Sequence, residues 1–108
     1  MFIGKVVGTV VSSVKDPKVA ALKFQVVQEL DEWGKPRSKY VVAVDTVGAG
    51  QGDLVLFAQG SSARQTTLTD GRPIDAAIFA VVDSWDVDDK LVYQKEGLET
   101  FARQPRED

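Results

Sequence analysis

Asp45, Asp75 and Asp83 stand inside or beside apolar, strand-like runs. A pair of carboxylates held this way can trade a proton with a substrate or hold a hard cation. The same placement serves architecture, with one carboxylate paired to Arg64 and the others accepting backbone amides at strand ends. Structural ion pairs commonly put acids in such positions, so Arg64, Asp45, Asp75 and Asp83 are read as ion-pair candidates. Ser12-Ser13-Val14-Lys15 has the S-x-x-K spacing of penicillin-binding enzymes, but the companion S-D-N and K-T-G segments are missing. Gly60-Ser61-Ser62-Ala63-Arg64 offers a serine without the G-x-S-x-G elbow. It reads as a short helical turn near 61–65, with Ser61 or Ser62 as the capping residue. Gly48-Ala49-Gly50-Gln51-Gly52 lacks the Gly-Lys-Ser/Thr of a phosphate loop, and a strand follows it instead of a helix. It reads as a tight loop that needs positive φ.

What the chain lacks narrows the chemistry further. It has no cysteine and no histidine. Disulfides, thiolate metal sites and thiol nucleophiles are therefore absent, as are the commonest general base near neutral pH and the commonest metal ligand. A small-molecule enzyme would have to work through the aspartates. With 13 basic and 16 acidic residues the net charge is −3, which disfavours a general nucleic-acid binder. Lys35, Arg37 and Lys39 form one small basic cluster. Positive grooves with stacking aromatics are how small barrels hold single strands, so such binding is the alternative function. A solvated loop explains the cluster more simply.

The elements that must carry these residues are strands. Lys5 to Ser13 is rich in Val and Thr, with Gly4 and Gly8 as bends or close approaches. From Ala21 the pattern has period two: Leu22, Phe24 and Val26 on one side, Lys23, Gln25 and Glu29 largely on the other, the signature of a half-buried strand. Residues 31–36 compose a turn. Tyr40 to Asp45, Leu54 to Ala58, Ile74 to Trp85 and a short closing run Leu91 to Tyr93 complete the set. Leu98, Phe101 and Ala102 fall at helical spacing within 96–103, and 104–108 reads as frayed. No signal peptide and no membrane-length apolar run is expected, which suits a cytoplasmic protein. Short strands, Gly-rich turns and almost no helix predict an all-β fold, a small OB-like β-barrel of about five strands. An SH3-like barrel fits the same pattern.

Six segments in order resemble one family: Val7 to Val11, Lys23 to Gln28, Asp45 to Gly50, Gly60 to Arg64, Pro73 to Ala77 and Val81 to Asp83. They are similar to the vertex (pentamer) proteins of bacterial microcompartment shells, the carboxysome and ethanolamine-utilisation vertex type, from about Phe2 to Lys95. The resemblance implies an OB-like barrel in residues 1–95; residues 96–108, where spacing alone suggests the short helix, are an extension beyond it. It implies a homopentamer that caps the five-fold vertices of a shell tiled by hexameric proteins, with no catalysis, cofactor, nucleic acid or membrane. A ring of this kind joins one patch of each subunit to a different patch of the next. Gly48, Gly50, Ser61 and Ser62 are small enough to crowd a five-fold axis, and Arg64 is a candidate contact across the subunit boundary.

Overall fold

The computed structural model describes residues 1–95. Its strands are β1 (Phe2–Val10), β2 (Phe24–Leu30), β3 (Pro36–Asp45), β4 (Leu54–Gln59), β5 (Ala76–Val81), β6 (Ser84–Val87) and β7 (Lys90–Gln94). Two 3₁₀ turns, Pro17–Val19 and Gly60–Arg64, interrupt the connections. Strands β1 to β5 close a barrel in the order β1-β2-β3-β5-β4, while β6 and β7 form a separate two-stranded sheet. All barrel pairs are antiparallel except β3 with β5, which meet in parallel at Val44 and Asp45. Closure removes the exposed edges on which open sheets aggregate.

The strands form where β-branched residues alternate, and the turns between them are built locally. Asp31 Oδ1 accepts the amides of Trp33 and Lys35 at 2.9 Å each, and Gly34 takes φ +81° to close the loop before β3. In β1 the register slips between Val6 and Gly8, a bulge that strengthens the local twist a small barrel requires. The interior holds Val6, Val27, Ala43, Ala49, Val55, Phe57, Ala76 and Ile78, packed as one cluster.

The period-two pattern in β2 is real, but its inner face is the opposite of what hydrophobicity suggests. Gln25 and Val27 are buried, whereas Phe24 and Val26 lie half-buried on the outside. Gln25 is tolerated inside because its amide is fully partnered. It donates to the Ala49 carbonyl at 2.9 Å and to Asp45 Oδ2 at 3.3 Å, and accepts from Thr9 Oγ1 at 3.1 Å. A satisfied buried amide costs far less than an orphan one.

Two further boundaries differ from expectation. The run Ile74 to Trp85 breaks at Val82 and Asp83 into β5 and β6. Strand β7 does not close the barrel; it pairs with β6. That hairpin docks on one barrel end through Tyr93, Leu30 and Leu54, with Ile3, Val82 and Trp85 around them. Trp85 Nε1 donates to the Glu32 carbonyl at 2.8 Å, and the Trp85 and Tyr93 rings pack at 5.5 Å. The helix expected at 96–103 lies outside the described residues.

Candidate functional site

Asp45 ends β3 and is buried. Its Oδ1 accepts the amides of Val47, Gly48 and Ala49 at 3.0, 2.9 and 3.1 Å, and its Oδ2 accepts from Gln25. Every contact of this carboxylate is thus with a neutral donor of its own fold. The glycine loop wraps around it. Gly48 and Gly52 take φ +78° and +88°, as the loop reading required. The loop is then pinned to β1 by Gly52 N donating to the Val6 carbonyl at 2.8 Å and Val6 N donating to the Asp53 carbonyl at 2.9 Å. Gly50 N donates to Asp53 Oδ2 at 2.8 Å.

The second small-residue turn lies at the far end of β4. Gly60 takes φ +69° and donates its amide to the Asp75 carbonyl at 2.8 Å. Ala63 is buried, while Ser61 and Ser62 are exposed. Neither serine caps the turn: Gln59 occupies the capping position with no side-chain hydrogen bond. The turn is 3₁₀ and five residues long, so few of its amides are left for a side chain to satisfy.

Arg64 does not pair with Asp45, Asp75 or Asp83 within the chain. It donates from Nη1 to the Ile74 carbonyl at 2.7 Å, tying the turn to the segment that enters β5. Asp75 and Asp83 are exposed, and Asp45 is enclosed by its own loop. Within the chain Arg64 thus makes a charge-assisted bond to backbone and no ion pair with these three aspartates. Gly48 and Gly50 flank the start of β4 and Ser61 and Ser62 its end, about 17–20 Å apart for a strand of this length. All four can line one axis only if β4 runs along it.

Other features bear on the alternatives. Ser12 Oγ donates to the Val14 carbonyl and Lys15 Nζ to the Ser12 carbonyl, so the Lys15 amine bonds the Ser12 backbone and not its hydroxyl. Arg37 and Lys39 both reach Glu29, at 3.7 and 3.6 Å, and Lys39 Nζ sits 5.2 Å over the Phe2 ring. The exposed Tyr40 alternates with them on β3 and so faces the other way. The cations and Tyr40 do not share a groove, and nothing supports the nucleic-acid reading. Among the described residues no three His, Cys, Asp or Glu side chains converge, and no helix is long and apolar enough to cross a membrane. Sequence reasoning missed the Gln25 hub, because a glutamine in an alternating strand gives no sign of an internal partner. It also missed the outer strip where Val26 pairs with Gly8 and Val42, beside the exposed Tyr40.

Comparison with known proteins gives a consistent result. The family model described as ethanolamine utilisation protein EutN/carboxysome matches residues 1–83. The carboxysome shell vertex protein CcmL of Gloeobacter violaceus is 46% identical over 95 residues, covering 88% of this chain and 95% of that one. Its solved structure superposes with a TM-score of 0.85 over 90% of this chain and 100% of that chain, at 45% identity. The pentameric microcompartment shell protein GrpN from Rhodospirillum rubrum gives a TM-score of 0.73, 44% identity, 81% of this chain and 100% of that chain.

Proposed function

The chain belongs to the EutN/carboxysome family, and on that premise we propose that it is a structural shell protein whose homopentamer caps the five-fold vertices of a bacterial microcompartment. The observation that carries this reading is the five-strand barrel, which superposes on a solved shell vertex protein over nearly the whole described chain. Residues 1–95 form the vertex unit and 96–108 an extension. Its partners are four further copies and the hexameric tiles of the shell, in the cytoplasm, with no catalytic step. The absence of histidine and cysteine from the sequence supports a non-enzymatic role.

Physical reasoning supports a ring. A barrel of this size buries a small core and gains stability from any further surface it covers. Tyr40 is 59% and Val42 50% exposed on the outer face of β3, which leaves apolar area for a neighbour to cover. Gly48, Gly50, Ser61 and Ser62 remain candidates for the axis, and Arg64 for the boundary, where the donors not spent on Ile74 can meet a neighbour's carboxylate. Native mass spectrometry of the purified chain is expected to show five copies. A spectrum dominated by monomer or dimer overturns the proposal.

A further inference from the structure

Lys18, Arg64 and Arg72 line one open cleft of about 490 Å³ together with Ser61, Gln65 and Asp70. The three cations come from distant parts of the chain. Lys18 lies in the first 3₁₀ turn, Arg64 ends the second, and Arg72 precedes β5. Among the described residues no carboxylate comes within salt-bridge distance of any of the three, since the ion pairs formed are those of Glu29. This is unexpected in a chain with net charge −3. Gathering like charges in a concavity costs repulsion that an opposite charge relieves.

Both guanidinium groups are anchored by backbone. Arg64 Nη1 donates to the Ile74 carbonyl at 2.7 Å, and Arg72 Nη1 donates to the Lys18 carbonyl at 2.6 Å. The second bond also joins the two loops that carry Lys18 and Arg72. Each guanidinium keeps further N–H donors, and Ser61 and Gln65 add neutral donors on the same wall. Three cations and one carboxylate give the lining a formal charge of +2. A phosphate monoester carries close to −2 at neutral pH with three acceptor oxygens. We infer that this cleft is a binding site for a small phosphate dianion, either free phosphate or the phosphate group of a small metabolite. Ser61 and Arg64 are also candidates for the ring contact, so the inference rests on a ring in which this cleft stays open to the ligand.

The test is calorimetric titration of the full-length protein with inorganic phosphate and, separately, with glycerol 3-phosphate, at constant ionic strength. Saturable binding of one or both is expected. Tighter binding of the ester points to a metabolite, and equal binding points to phosphate itself. Lys18→Gln and Arg72→Gln should each weaken binding at least about tenfold, the loss of one charge-assisted contact. Among the described residues Lys18 makes no side-chain hydrogen bond or ion pair, so its variant is expected to keep the fold intact. Phosphate affinity should fall as pH drops below about 6, where the dianion takes up a proton, while sulfate affinity stays level. Absence of saturable binding, or equal binding by wild type and both variants, overturns the inference. So does dissociation of the oligomer by these substitutions without phosphate binding, which would mean that the cleft receives a carboxylate from another copy. Failure of the ring with phosphate binding intact would count against the proposed function alone.

Discussion

A β-carbon on Gly4 would lie 2.5 Å from Val27 Cγ1, 2.8 Å from Phe57 Cε1 and 3.0 Å from the Gln28 carbonyl oxygen. None of these can withdraw easily. Val27 and Phe57 are fully buried, and the Phe57 ring is also packed on Phe2 at 5.3 Å. Gly4→Ala is expected to cost about 1–3 kcal/mol by overpacking. A lower urea midpoint with an unchanged slope would show it, and an unshifted midpoint would refute it. Gly8 is the internal control, because its added β-carbon would meet Val26 at an ordinary 3.6 Å. Asp45 poses the opposite problem, a removal. Its carboxylate holds three successive loop amides, and hydrogen bonds to a charged group contribute about 1.5–3 kcal/mol each. Asp45→Ala should destabilise the fold by about 3 kcal/mol and free the glycine loop. Asp45→Asn, which keeps a carbonyl acceptor, should lose less. Equal thermal midpoints for wild type and Asp45→Ala would refute this account.

At the scale of elements, legibility tracked how local the cause was. The turn at 31–36, the positive-φ loop at Gly48 and Gly52 and the strand at Leu54 were readable because turn residues and apolar runs act on their own neighbours. The inner face of β2 was not, because Gln25 is stabilised by Asp45 and Ala49, 20 and 24 residues away. Arg64 was read as the partner of a carboxylate, but its acceptor within the chain is a carbonyl that any residue type at position 74 would present. The β6–β7 hairpin was misplaced for a similar reason: its docking depends on Leu30, Leu54 and Glu32, none of them adjacent in sequence. That docking makes a testable statement about pH. Burial pushes the Tyr93 hydroxyl above its ordinary 10.0, with Asp53 and Asp83 adding to the effect. A raised value means the folded state holds the phenolic proton more tightly than the unfolded state. The stabilisation is complete below about pH 10 and is lost as pH rises through the folded-state value. Alkaline titration should therefore loosen the hairpin, seen as faster amide exchange in β7. Tyr93→Phe should remove that dependence, and its persistence in the variant would assign it to another group.

For the whole molecule, the question is which part of the chain carries assembly. The family match ends at residue 83, and every candidate for the axis or boundary, from Gly48 to Arg64, lies before that point. The exposed outer strip of Val42 and Tyr40 lies before it too. The extension 96–108 contributes none of these groups. Its sequence carries Leu98 and Phe101 at helical spacing, and removing such residues takes away apolar area that burial could stabilise. Ending the chain after Lys95 should therefore leave five copies in the native mass spectrum and lower the melting temperature modestly. A shift of the truncated chain to monomer would make the extension an assembly element and move the ring contact away from the barrel. An identical melting temperature would show that the extension adds nothing to the stability of the barrel or the ring.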